Sequence, residues 1–312
     1  MTPTLPTGRA ICYSGYRAGQ SPDTRVYPST AQIREDLLLM QPHWRLLRLY
    51  DCSLHAQRVL DVIRRDRLDF LVMLGAYLGA EVNNPGCPWG ARYSDAQLQA
   101  SSAENEAEVG RLITLARQYE GIVFSVAVGN EATVDWTDHL VPLPRMMAHV
   151  RRVKQAVTQP VTFCENYVPW QQQLRDLVAE LDFISLHTYP VWENKAVHEA
   201  LAYTRDNVHS VARRYPGKPL VITEAGWPTG ANGRGIAPHE ASQDLQDSYL
   251  RELLAWTDAT GMLCFVFEAF DEPWKGSPDP MEPEKHWGLF TVDRQPKQVM
   301  RDWPAPLGPA RR

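Results

Sequence analysis

The sequence predicts a single-domain α/β protein, a (β/α)8 TIM barrel, on three observations. Eight short apolar runs alternate with longer amphipathic stretches along the 312 residues. A chain of this length fits one such barrel. No Gly-rich phosphate loop follows the first run, which counts against the other arrangement of alternating strands and helices, an open doubly wound sheet. The hydrophobic content of 44% supplies a large core.

In chain order, the first strand is expected at AICYSGY (10–16) and the first helix over STAQIREDLLLM (29–40). Ser29 followed by Gln32 gives that helix a capping-box signature. LLRLYD (46–51) and DFLVMLGAY (69–77) are the second and third strands, with helical spacing over 103–118. The fourth strand is IVFSVAVGN (122–130), followed by a helix at 142–157. VTFCENY (161–167) is the fifth and DFISLHTYP (182–190) the sixth, with a helix at 196–215. LVITEAGW (220–227) is the seventh, followed by a helix at 239–260, and LCFVFEAF (263–270) the eighth. Each strand is expected to be followed by a helical stretch. A single domain is expected over 1–312, with a core of about 10–295 and a short C-terminal tail.

Composition excludes several partners. A net charge of −5 gives no basic field for nucleic acid or an anionic membrane and suits a neutral substrate. No run of about 18 apolar residues is present to span a membrane. The opening MTPTLPTGRA lacks the apolar stretch of a secretion signal. The expectation is a cytoplasmic protein, or a periplasmic or secreted one whose leader has been removed. The five cysteines are widely spaced, without a Cys-x-x-Cys pair, so reduced thiols are expected. The nine histidines include no His-x-His or His-Glu-x-x-His spacing, so neither metal nor cofactor is expected. No Gly-x-Ser-x-Gly elbow offers a nucleophilic serine.

The strands begin apolar and end polar or aromatic, and in a barrel their C-terminal ends form the active-site face. A carboxylate at the edge of a core costs several kcal/mol unless it is paired or used. Glu131 ends the fourth strand and Glu224 the seventh, 93 residues on, or three strand–helix units. Strands four and seven lie on roughly opposite sides of a small barrel, so the two carboxylates are expected to face each other. One reading makes them helix caps or ion-pair partners. The other makes them the proton donor and the nucleophile or base of glycoside hydrolysis.

VGNE (128–131), ITEAGWP (222–228), RLYD (48–51) and HWGLF (286–290) together resemble glycoside hydrolase family 17, the β-1,3-glucanases of the large retaining (β/α)8 clan. The resemblance covers roughly residues 10–295. It implies Glu131 as general acid/base, Glu224 as nucleophile and Asn130 as the ligand of the sugar 2-hydroxyl. It also implies double displacement, in which Glu131 starts protonated. Tyr189 is expected to hold the nucleophile's rotamer, and His187 to bond substrate or a carboxylate. By the same resemblance Glu272, Lys275 and Glu284 touch substrate hydroxyls. Glu268 reads as a barrel-interior charge, and Glu165 as a residue that orients a neighbour or binds sugar.

Rings at strand ends stack on the C–H faces of sugars. Tyr50, Trp192, Trp227, Trp274 and Trp287 are expected around the substrate, Trp192 and Trp274 as platforms and Trp227 as wall or packing. Ala225 stands where the plant enzymes favour Thr. YSGYRAGQSP (13–22) and AFDEPWK (269–275) look more like the bacterial branch, which includes β-glucan glucosyltransferases. Hydrolysis of β-1,3-glucan or its oligosaccharides is the first reading and transglycosylation the alternative. A non-catalytic carbohydrate-binding barrel would be expected to have lost one carboxylate. Long segments at 78–97, 228–240 and 271–287 are expected to wall off one end of the cleft.

Overall fold

The structure, a computed structural model, describes residues 3–303. Eight parallel strands pair in chain order and close on themselves, β1 joining both β2 and β8. They are β1 (Ala10–Cys12), β2 (Leu46–Leu49), β3 (Leu71–Ala76), β4 (Val123–Asn130), β5 (Val161–Asn166), β6 (Ile184–His187), β7 (Leu220–Ala225) and β8 (Cys264–Val266). The predicted barrel is therefore the observed one, and its last nine residues, 304–312, lie outside the described residues.

Seven of the eight strands are followed by α-helix. These helices are α1 (Thr30–Met40), α2 (Leu54–Asp66), α3 (Asp95–Gln118), α4 (Leu143–Lys154), α5 (Tyr167–Gln172) with α6 (Arg175–Glu180), α7 (Val197–Arg214) and α8 (Gln243–Thr260). Ser29 and Gln32 form the expected capping box on α1, and Ser94 with Gln97 forms another on α3, which starts eight residues before the predicted spacing. The expectation of a helix after every strand fails at β8. Among the described residues from Phe267 to Trp303 the chain makes only bridges, turns and short 3-10 segments. Pro273, Pro278, Pro280, Pro283 and Pro296 remove the amide donors a helix there would need. Helix α2 buries Ala56, Val59, Leu60, Val62 and Ile63 on one face, at a spacing the intervening arginines conceal.

The strands are shorter than predicted, mostly at their C-terminal ends. Tyr50, Tyr189, Trp227 and Glu268 all fall past the last paired residue of their strands. There the backbone leaves the ladder and turns its side chains over the barrel mouth. Beneath them Ile11, Leu47, Val72, Val126, Phe163, Ile222 and Phe265 are buried in the continuous core that fixes the strand ends.

Candidate active site

Strand β4 delivers Glu131 through a break in its ladder. The register with β5 slips between Ala127 and Asn130. Gly129 takes φ +94°, where a Cβ would meet Met146 Cε at 2.9 Å and Phe163 Cε2 at 3.1 Å. Glu131 itself has φ +44°, a left-handed backbone that costs a non-glycine residue about 1–3 kcal/mol and persists only where its surroundings impose it. The Glu131 amide donates to Cys164 O at 2.9 Å. Its carboxylate keeps 29% exposure and accepts a 2.9 Å hydrogen bond from His187 Nδ1.

Strands β4 and β7 are separated in the ring by β5 and β6, and the two carboxylates meet above the end of β6. His187, fully buried there, lies 2.9 Å from Glu131 and 3.4 Å from Glu224 Oε2. Burial works against an imidazolium, but the Glu224 charge, with contacts to Cys164 and Glu131, lifts His187 to about 10. It thus stands as a cation between the side chains of Glu131 and Glu224, bonding a carboxyl group as the sequence reading allowed.

Glu224 is surrounded by donors. Arg48 Nη1 reaches Oε1 at 2.5 Å, Tyr50 OH donates to the same oxygen at 3.0 Å, and Tyr189 OH donates to Oε2 at 2.5 Å. Burial alone would raise this carboxyl. His187, Arg48 and the Tyr189 hydroxyl outweigh it and bring Glu224 down to about 2, so it is ionised throughout the neutral range. Tyr50 is accordingly a holder of Glu224, beside whatever contact it makes with a ligand. Tyr189 is itself fixed edge-on between Phe267 and Trp287.

Arg48 was not singled out by sequence, although it is the one charge in an otherwise apolar strand, LLRLY. Only 2% exposed, it binds Glu224, the Thr223 carbonyl at 3.2 Å and the Oδ1 of Asn130. That last bond fixes the Asn130 amide so that its NH2 side is what remains for a ligand.

The β8 side carries a second acidic group. Lys275 Nζ sits 3.1 and 3.0 Å from the two oxygens of Glu268 and 2.5 Å from Glu272 Oε2, while Trp274 Nε1 donates to Glu272 Oε1 at 3.0 Å. Glu268 and Glu272 are both buried. Burial, reinforced by the Glu272 charge, holds Glu268 protonated; against its own burial, Lys275 keeps Glu272 ionised. Glu268 lies in the barrel interior as the sequence suggested, but as a neutral acid and not as the expected charge. Glu272 was expected on substrate hydroxyls, yet its side chain is fully covered and spent on Lys275 and Trp274. Lys275 and Trp274, partly buried, hold the surface above it. Glu284 is also partly buried. Burial, opposed by Lys275 and reinforced by the charges of Glu131 and Glu224, pushes it up to about 7.

The rings divide. Trp192 is partly buried, tilted against Trp287 and packed over Gly235. Trp287 is 1% exposed and lies beneath Tyr189 and Phe267, so it backs the cleft. Trp227 has no exposed surface; its indole N–H goes to Glu240 O at 2.8 Å and its ring packs on Tyr249. Direct substrate contact is thereby ruled out for Trp227, which is wall.

Among the described residues, Glu131, His187 and Glu224 bring one ligand atom each within 4.8 Å of one another, a spacing that could hold a metal ion. The ligand nitrogen of His187 carries the proton that Glu131 accepts, so a metal there has to displace it. No helix among the described residues is long and apolar enough to cross a membrane.

Residues 10–288 match the BtgE/BtgC glycoside hydrolase domain. A glucan 1,3-beta-glucosidase of Arthroderma benhamiae is 27% identical over 62% of this chain; the chain spans 66%, just under two thirds, of that relative's own length. Among solved structures, an endo-laminarinase from Formosa superposes with a TM-score of 0.80 at 27% identity, over 94% of this chain and 86% of the other. A glycoside hydrolase family 17 β-1,3-glucanosyltransferase from Rhizomucor miehei shares the fold, with a TM-score of 0.71 at 20% identity over 93% and 95% of the two chains.

Proposed function

The chain belongs to the BtgE/BtgC glycoside hydrolase domain family, and from that premise we propose that it cleaves β-1,3-glucan or its oligosaccharides by double displacement with retention. The observation that carries the reading is the pairing of unlike carboxylates. Glu224 is ionised and held by three donors, and Glu131 is partly exposed with a single side-chain hydrogen bond. Their nearest ligand atoms lie within 4.8 Å, which favours the close spacing of retaining enzymes, about 5–5.5 Å, over the wider one of inverting enzymes.

Glu224 attacks the anomeric carbon while Glu131 passes its proton to the departing glycosidic oxygen, giving a glycosyl-enzyme and a shortened sugar. Glu131, now a carboxylate, takes a proton from water, whose oxygen displaces Glu224 and restores the starting state. Tyr50, Tyr189 and Arg48 keep the attacking oxygens aimed, and the Asn130 amide is placed to hold the sugar 2-hydroxyl. The names of the Arthroderma and Formosa relatives support β-1,3-glucan as substrate.

If a sugar hydroxyl takes the place of water, the same intermediate gives transglycosylation. The AFDEPWK sequence keeps this reading open by its likeness to the bacterial branch. Incubation with laminari-oligosaccharides, product sizing and the anomeric configuration of the first product test both readings. Products longer than the substrate mean transfer, and shorter ones alone mean hydrolysis. An inverted first product overturns the double displacement.

A further inference from the structure

We infer that Glu165 and His139 are positioning residues for Glu131, gripping the backbone on either side of it. The inference rests on the reading of Glu131 as acid/base. Glu165 is a carboxylate that takes no part in the double displacement. Glu165, at the end of β5, is fully buried, and no Lys or Arg among the described residues pairs with it. Its Oε2 is spent on the chain just past Glu131. Oε2 accepts from the Thr133 amide at 2.9 Å and the Thr133 hydroxyl at 2.6 Å, and Oε1 accepts from the Asn166 amide at 2.7 Å. Gln173 Nε2 adds a bond to Thr133 O at 2.7 Å.

On the other side, His139 Nε2 donates to Asn130 O at 2.8 Å, while Nδ1 lies 2.7 Å from Asp138 Oδ1. Tyr77 lies over the His139 ring, centroids 4.9 Å apart, which fixes the plane of the donor. Burial opposes a charge on this ring, but Asp138 and the Asn130 carbonyl raise its pKa, consistent with a donor at both nitrogens. The carbonyl before Glu131 and the amide two residues after it are therefore both anchored. Between them Glu131 holds a left-handed backbone whose own amide is tied to Cys164. A side chain that has one hydrogen bond of its own is aimed by its backbone, and these two residues fix that backbone.

A positioning role differs from a merely structural one in its dependence on the leaving group. Departure of a sugar needs the acid; departure of 2,4-dinitrophenolate does not, and kcat/KM reports the glycosylation step alone. The measurement is kcat/KM on a laminari-oligosaccharide and on a 2,4-dinitrophenyl laminarioside. For Glu131→Gln the expected loss is about 10²–10⁴-fold on the first substrate and little on the second. For Glu165→Gln and His139→Phe we expect roughly 10–10²-fold on the first and under about threefold on the second. Thr133→Val, which removes one donor and keeps the fold, is expected to show the same asymmetry at a few fold. Combining Glu165→Gln with Glu131→Gln is expected to add almost nothing, since both act through one group. Equal losses on the two substrates, or no loss on either, overturn the inference while leaving Glu131 in its role. If Glu131→Gln itself shows no leaving-group dependence, the acid/base reading falls, and the inference with it.

Discussion

Two groups of acids in this barrel are built from the same kinds of parts, two carboxyl groups and the cations that face them, and they end in opposite states. In the first, His187 stands between Glu131 and Glu224. Glu224 has its oxygens filled by Arg48, Tyr50 and Tyr189, and Glu131 is left partly exposed on a single hydrogen bond. In the second, Lys275 closes directly on Glu268 and Glu272, and both carboxylates are covered. The second is neutralised and protonated until little charge is left to act. The first holds one carboxylate ionised and leaves the other free. Acidity and burial alone do not distinguish them; unspent hydrogen-bond capacity does.

The largest effect should come from the filled carboxylate. Glu224→Gln removes the nucleophile and leaves Arg48 and His187 as buried cations without their partner. Turnover of laminari-oligosaccharides is expected to fall by about 10⁴-fold or more. Steady-state assay decides it, and a variant that keeps a tenth of its turnover would break the comparison. Arg48→Lys comes next. Lysine keeps the charge but cannot span Glu224 and Asn130 with two nitrogens, so kcat is expected to drop by about 10²-fold. A near-normal kcat would mean that charge, and not the fork, is what Glu224 needs.

Lys275→Met tests the closed group. It leaves Glu272 buried and ionised without its cation, which is expected to cost about 3–5 kcal/mol of stability and lower Tm by several degrees. The loss in kcat should stay well below that of Arg48→Lys. Thermal unfolding measured beside turnover separates the two. A large loss of kcat at unchanged Tm would move Lys275 into the working centre.

The fold was legible because both strand and helix periodicities survive in the sequence; all eight strands lie where the apolar runs placed them. What was misread is physically coherent. Tyr50, Tyr189 and Trp227 were assigned to strands because their residue types suit strands, whereas the chain has already left the ladder there. The missing helix after β8 follows from the prolines of 273–296. Glu131 and Glu224 were legible because a carboxylate ending an apolar run needs a reason. Arg48 carried the same signal and was passed over, since a cation in a strand reads as an ion-pair partner until its partner is known. Glu272 was placed on substrate because spacing along the chain reports proximity to the mouth and says nothing of which side chains the others cover.

The smallest effect concerns Glu284, which lies between the two groups and feels both. Burial, with Lys275 opposing and the charges of Glu131 and Glu224 adding, lifts it from an ordinary 4.5 to about 7. A raised carboxyl binds its proton more tightly folded than unfolded. Its contribution therefore falls as pH rises from about 4.5 to about 7 and is constant beyond. Glu165, lifted to about 7 chiefly by burial and then by Glu131, adds a decline over the same window. Replacing Glu284 alone should flatten part of it. Because Glu284 is only partly buried, water screens the effect, and a difference of a degree or two in Tm is expected. Measured between pH 4 and 8, Glu284→Gln should gain on the parent protein as pH rises. A gap that stays constant with pH would mean that Lys275 cancels both the burial of Glu284 and the charges of the open centre. It would then belong with the closed group, beside Lys275, and the boundary between the two groups would run on the other side of it.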